Sequence, residues 1–538
     1  MPTSRGAAAE RAWPAGTRED GGDASASSEA GWRRLDEQHH DATGAVAGAL
    51  MALDETPAPG DRAVQGASHR ARLGSALSDP GARYMGPWFV GFTLVMSVVG
   101  TGLLSLPSAF QCLGIVPGLL ALLLVSLSMY FTGDLFVRSH LAAQSSSCDS
   151  YEAMALQACK VTSQSWLRQS GSAVRWIVNI VNALGLFGGC CAYIAIGKEI
   201  WPDLEARISG RDPDSGVAPP WYASTYLVTG ILVALVSLPL SLRRKLSSLR
   251  YSSTLGFCFS IYMILIVSGR GILALVRGQG RQPDAWHPAC PEFSPWHGLI
   301  LALSIFNFSF VFHFNAIPLF KSLPEPHRNL ATMRRIIAGS IMTCFVLYSM
   351  LGIAGFALFG SDVEGNILNN FDASDDGINT ARAAIAICCF LCLPLLEHPL
   401  RGTILTMFRL SHSSSARCIV TATLMALQFV VALLVPSIKT VFTVTGGGAV
   451  VGFCYVFPVC IALVTLWPKS RAVDSASASA TGAHDSLATP LMDADVERSP
   501  AFKTPNFALS RLEIALCLAV LVFFPVSGGW SVLISLQG

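Results

Sequence analysis

Apolar residues run along this chain in long blocks, separated by short polar interludes. Eleven such blocks stand near 87–110, 114–138, 173–197, 221–241, 251–275, 296–319, 334–358, 380–400, 417–436, 441–466 and 511–536. A helix needs about 20 apolar residues to cross a bilayer, and each block meets that length. The pattern therefore predicts an all-α membrane protein with about eleven transmembrane helices, since in lipid every backbone polar group of a lone segment is satisfied only within a helix. Residues 1–84 mix Ala, Gly, Ser and charge without an apolar core and read as a disordered tail. Residues 85–467 form the core, and 468–510 read as a disordered linker before the last helix at 511–536. The stretch 143–172 is too polar to span. Within it Ser150 to Lys160 reads as a short helix, either lying along the membrane surface or belonging to an ordinary loop.

Two blocks are interrupted. The first reads VMSVVGTGLLSLPSAF, with Gly100-Thr101-Gly102 in its middle and Pro107 beyond. Two glycines around a hydroxyl residue weaken a helix. The reading is a discontinuous helix facing an interior cavity, with a small-residue packing face as the alternative. A broken helix offers free N–H groups to a carboxylate and free carbonyls to a cation or ammonium. The sixth block carries Asn307, Ser309, His313 and Asn315, then Pro318. Interruptions at matching places in two halves point to a midplane site in an inverted-repeat transporter. The halves are 87–275 and 296–466, with five helices each. Five is odd, so the second set is inverted relative to the first.

Composition agrees with this picture. Of 538 residues, 52% are hydrophobic and 13% charged, against about 25% charged in a soluble domain, and mean hydropathy is +0.49. Net charge is +2. No basic stripe with interleaved aromatics appears, so nucleic acid is not an expected partner. Most of the 15 cysteines sit inside apolar blocks and read as small apolar residues. His287, Cys290 and His297 match no standard zinc spacing. Lys and Arg concentrate in alternate loops (Arg243 to Arg250, Lys321 to Arg335, Arg401, Arg409, Lys469, Arg471) and predict a cytosolic N-terminus. The loop 361–379 is acidic and fits the opposite side. No HExxH, GxSxG or facing Asp pair is present, so an enzyme is not expected.

Several stretches, in order, resemble one family: GTGLLSLPSAF, SYEAMALQA, LPLSLRRKLSSLRYSS, FSFVFHFNAIPLF, FGSDVEGNIL and PLLEHPLR. The chain is identified as a member of the amino acid/auxin permease superfamily and is similar to the sodium-coupled neutral amino acid transporters of animals. The resemblance implies a LeuT-like five-plus-five inverted repeat with one added C-terminal helix, and transport of amino acids driven by sodium or protons. It places the substrate carboxylate on Gly100, Thr101 and Gly102. The ammonium falls to carbonyls at Asn307, Phe308 and Ser309, and Phe308 lines the side-chain pocket. With no fixed counter-charge there, neutral amino acids are expected. Two departures bear on the ion. Where the sodium-coupled relatives carry an Asn four residues before the first glycine of the break, this chain has Met96. Where they carry a Thr two residues before the proline of the eighth helix, it has Cys392. Sodium is a hard cation, and thioether and thiol are soft ligands. Ser97 and backbone carbonyls are what remain, so proton coupling or exchange is expected ahead of sodium.

Ionisable side chains inside membrane helices are costly and usually functional. His313 is the first proton candidate, since imidazole titrates near neutral pH. Glu397 and His398 are the second, although Glu397 stands four residues before Arg401 at the spacing of an ordinary helical ion pair. Expected partners are a small amino acid and the bilayer, with no cofactor or metal beyond a coupling H+ or Na+. The membrane is the plasma membrane or a vacuolar or lysosomal one. A receptor of the same fold that binds amino acids with little transport is the competing reading.

Overall fold

The computed structural model describes residues 85–143, 150–162, 164–210, 220–242, 250–278, 294–411, 413–467 and 508–537. The proposed tail 1–84, most of the linker 468–510, the basic loop 243–249, and His287 and Cys290 lie outside these residues. All regular elements among the described residues are helical. Among the described residues ten helices are long and apolar enough to cross a membrane, and a bent pair makes an eleventh span.

Span 1 is that pair, Pro87–Val98 and Thr101–Leu113, bent by 50° at the break. The others are span 2 (Ile115–Ala142), span 3 (Gly171–Ser209), span 4 (Thr225–Leu242), span 5 (Thr254–Val276), span 6 (Pro295–Lys321), span 7 (Leu330–Asp362), span 8 (Asp376–Met407), span 9 (Ser414–Leu434), span 10 (Ile438–Thr465) and span 11 (Arg511–Ser535). Gly114 makes the turn between spans 1 and 2 at φ 81°, a backbone conformation in which a side chain would be strained. Contacts between chain-distant ends fit alternating crossings. At the face where span 1 starts, the near face, the Met85 N–H donates to the Ser322 carbonyl at the end of span 6. At the far face, Gln111 ending span 1 donates to the Ser361 carbonyl ending span 7.

Span 3 runs well past the expected 173–197, because its polar end finds partners. Lys198 donates to the Ala432 and Val435 carbonyls that end span 9. Glu199 accepts the Ile438 N–H that starts span 10. Asp203 pairs with Arg382 of span 8 at 2.8 Å. Hydropathy stops at the bilayer edge, whereas these bonds carry the helix beyond it.

The short helix expected near 150–160 is present as Tyr151–Val161, capped by the Ser150 hydroxyl, which accepts from the Ala153 N–H. It buries Met154, Ala155, Ala158 and Cys159, and the Tyr151 ring stacks on Phe136 of span 2 at 4.2 Å. Its apolar face is thus covered by protein.

The far-face loop 361–379 is less negative than its sequence suggests. Asp375 pairs with Arg270 of span 5, Asp376 with Arg207 of span 3. Fully buried Arg382 donates to the Leu368 and Phe371 carbonyls. Asp372 accepts the Ser374 N–H at 2.7 Å, which with the Ser374 hydroxyl holds its carboxyl below the usual range.

Candidate functional site

The site is built where two helices stop. In span 1 the α-helix ends at Val98, Gly100 is extended (φ −116°, ψ −151°), and a 3-10 turn Thr101–Ser105 starts the second half. The first N–H groups of that half have no partner within the helix. In span 6 the first half ends at Ser309 and the second begins at His313. The interruption therefore covers Phe310 to Phe312, and Asn307, Phe308 and Ser309 form the last helical turn before it. This refines the expected position: their carbonyls lie at a helix C-terminus, without partners inside the helix, rather than in unwound chain.

The two breaks pack directly on each other. A Cβ added to Gly102 would lie 3.0 Å from Ser309 Cα, 2.6 Å from its Oγ and 3.2 Å from Phe308. Contact this close admits only glycine. From the other side, Gly446 of span 10 abuts the Ser304 carbonyl and Phe308 Cβ. The run Thr445 to Gly448 is thus a tight crossing of spans 6 and 10, and Gly447 meets the Gly528 carbonyl of span 11 at a Cβ distance of 2.8 Å. Phe308 stacks on Phe442 with centroids 4.6 Å apart. Asn307 accepts from the Tyr455 hydroxyl at 2.8 Å, and Tyr455 stacks on Phe524 at 3.9 Å. The Ser309 hydroxyl is turned back on the Ile305 carbonyl. One group joins both breaks: the hydroxyl of Tyr348, on span 7, lies 2.8 Å from the Val98 carbonyl and 3.0 Å from the Ser309 carbonyl.

The residues at the expected sodium position make other bonds. Ser97 donates to the Leu94 carbonyl at 2.9 Å. The Cys392 sulfur stands 3.8 Å from that of Cys388, one turn earlier.

His313 is completely buried, with Nε2 3.0 Å from Thr132 Oγ1 of span 2. Thr132 also donates to the Ser128 carbonyl at 3.0 Å. The hydroxyl has one proton to share between that carbonyl and the ring nitrogen, so which group donates across this contact follows the imidazole tautomer; Nδ1 has no partner. Glu397 is equally buried. Its Oε2 accepts from Gln428 of span 9 at 2.8 Å and faces the Cys190 thiol of span 3 at 4.0 Å, while Oε1 has no partner. The helical Glu397–Arg401 pair does not form. Arg401 reaches instead to the Ser241 carbonyl, Thr421 and, at 2.6 Å, His398 Nδ1, because the two side chains leave span 8 toward different neighbours. Asn182 bonds Thr403 of span 8 at 3.3 Å, and so faces a helix rather than the breaks. His297 meets the Ser294 hydroxyl, and among the described residues no three His, Cys, Asp or Glu gather as a metal site.

Residues 84–479 match the family model described as transmembrane amino acid transporter protein. The chain belongs to this family. Among its relatives is the amino acid transporter AVT6C of Arabidopsis thaliana, 26% identical over 388 residues, which are 69% of this chain and 84% of that protein. The sodium-coupled neutral amino acid transporter 7 of Xenopus laevis is 26% identical over 68% of this chain and 78% of that protein. Human solute carrier family 38 member 8 is 28% identical over 64% and 72%. In overlay, the manganese transporter of Eremococcus coleocola gives a TM-score of 0.48 at 14% identity, over 84% of this chain and 87% of that one.

For this member of the amino acid transporter family, sequence reasoning missed Tyr348 and Tyr455. Both lie inside unbroken apolar runs, where a tyrosine passes for core. The available signal was that a buried phenol needs a partner.

Proposed function

We propose that the chain is a secondary active transporter that moves neutral amino acids by alternating access, coupled to protons or working by exchange rather than by sodium. The observation that carries this is the break-to-break packing of spans 1 and 6. It brings the N–H groups that start one half-helix against the Asn307–Ser309 helix end, where Tyr348 takes the Ser309 carbonyl and those of Asn307 and Phe308 are left for an ammonium, so that the two ends complement one zwitterion. Gly100, Thr101, Gly102, Asn307, Phe308 and Ser309 bring no formal charge to it, and the Phe308–Phe442 stack offers an apolar wall. Both features support a neutral side chain. The two interrupted spans stand at matching places, first and sixth, which supports the five-plus-five inverted repeat and the rocking that follows from it. The relatives' names speak of amino acid transport, and that of transporter 7 speaks of sodium. Against sodium here stand Met96 and Cys392, which offer sulfur where a hard cation needs oxygen. His313 and Glu397, each buried with one unpartnered atom, are the proton candidates, with His398 behind them. The near face is cytosolic, in a plasma, vacuolar or lysosomal membrane.

The test is uptake of radiolabelled neutral amino acids into proteoliposomes under an imposed proton or sodium gradient. Stimulation by protons alone is expected, and stimulation by sodium alone rejects the coupling. In the same assay, folded His313→Ala or Glu397→Gln loses the pH dependence of uptake. A pH profile unchanged in both variants rules out these two side chains as the carriers.

A further inference from the structure

We propose that the Tyr348 hydroxyl stands in the place of an alkali cation between the two broken spans, and that removing it turns a sodium-indifferent carrier into a sodium-requiring one. The inference rests on the sodium-free reading above and deepens it. Two half-helices, Pro87–Val98 and Pro295–Ser309, end at this point. A helix C-terminus carries a negative partial charge and unpaired carbonyls. Two such ends meeting in a buried place repel unless something positive lies between them. What lies between them is one phenol: Tyr348 is completely buried, with its oxygen 2.8 Å from the Val98 carbonyl and 3.0 Å from the Ser309 carbonyl. Its ring is fixed edge-on against Phe310 at 5.1 Å. The Val98 carbonyl also takes the Gly100 N–H at 2.8 Å. The hydroxyl proton thus supplies the partial positive charge that Ser309, and in part Val98, would otherwise lack.

A phenol has one proton for two acceptors. It neutralises the pair less than a full positive charge would, but it is covalently fixed and does not have to be captured or released in a transport cycle. Carbonyl oxygens converging from separate helix ends are the ligands that a hard monovalent cation accepts. The chain is therefore deprived of alkali cations at two places. At the position of Met96 and Cys392 sulfur replaces oxygen, and at this second place the oxygens are present but taken. Taking the hydroxyl away vacates a space of phenol-oxygen size between two carbonyls, beside the partly exposed Gly100 and Thr101.

The experiment compares full-length wild type with Tyr348→Phe and Tyr348→His in proteoliposomes. Uptake of labelled neutral amino acids is driven by a proton gradient, in sodium chloride or choline chloride. Wild type is expected to be equal in the two salts. In choline, Y348F should fall about tenfold, the effect of one unmet buried carbonyl, and sodium should restore most of it. Sodium should likewise raise the melting temperature of Y348F and leave that of wild type unchanged. Y348H, which keeps a ring-borne donor, should need sodium less than Y348F. Equal uptake by Y348F and wild type in choline overturns the inference. So does an equal loss in both salts, or a Y348F protein that is not monodisperse in either salt, since the hydroxyl is then only a structural pin. A wild type that already needs sodium removes the sodium-free reading itself, and this inference with it, before any variant is considered. A sodium-indifferent wild type with a sodium-indifferent variant removes this inference alone.

Discussion

Gly102 and Gly100 read alike in the sequence, as two residues that weaken a helix, yet their roles differ. Gly100 sits in ordinary extended backbone. Gly102 has no room for a methyl group, because Ser309 and Phe308 fill the space. Gly102→Ala should therefore separate the breaks, with an overpacking cost of about 1–3 kcal/mol. The expected outcome is an expressed protein whose amino acid uptake falls tenfold or more, about the effect of that energy, whereas Gly100→Ala, with only the Val98 carbonyl within 4 Å, should be milder. Asn307 makes a second contrast. The substrate role expected of it belongs to its backbone carbonyl; its side-chain oxygen is held by Tyr455, so its amide serves the packing of spans 6 and 10. Tyr455→Phe leaves that buried acceptor unmet at a cost of about 1–3 kcal/mol. A lower melting temperature with little change in KM is the expected result, and a raised KM at unchanged stability would argue that Asn307 meets the substrate.

The long helices are tied at both faces by charged clusters that hydropathy hides. At the near face Arg334, starting span 7, donates through Nε and Nη2 to both oxygens of Asp134 at 2.6 and 2.9 Å. Arg138, one turn beyond Asp134, reaches Glu513 of span 11 at 2.5 Å. Asp134 is thus shared by two arginines, and its loss leaves buried Arg138 with Glu513 as its ion-pair partner. Removing one member of a buried pair costs about 3–5 kcal/mol; Arg334 is 41% exposed, so the lower end applies. Asp134→Asn should lower the melting temperature in detergent, and Glu325→Gln, whose Arg328 pair is exposed, should not. At the far face Arg382 does similar work for the loop 361–379, donating to the Leu368 and Phe371 carbonyls at the end of its 3-10 turn.

Over the whole molecule, the order of eleven spans and the two interruptions follow from hydropathy and from where glycine and polar residues break it. That much was legible because a bilayer imposes a single rule on every segment: apolar outside, hydrogen bonds inside. Family membership was legible for a related reason, since two of its short motifs, GTGLLSLPSAF and FSFVFHFNAIPLF, sit at the breaks, where backbone geometry limits the choice of residue. The ends of span 3, the partner of Glu397 and the cover over the short helix Tyr151–Val161 were not legible. Each depends on which side chain from a distant span arrives opposite, and spacing within one helix, such as the four residues from Glu397 to Arg401, says nothing about that. Tyr348 is the fullest case. Nothing near residue 348 marks it as different from other aromatic residues in apolar runs, and it gains its place only because the ends of spans 1 and 6 meet at its hydroxyl. The sequence by itself determined that this is an α-helical membrane transporter with two weakened helices. Which groups answer the freed carbonyls was decided by tertiary structure, because a backbone break exposes the same atoms in any chain and only packing supplies their partners.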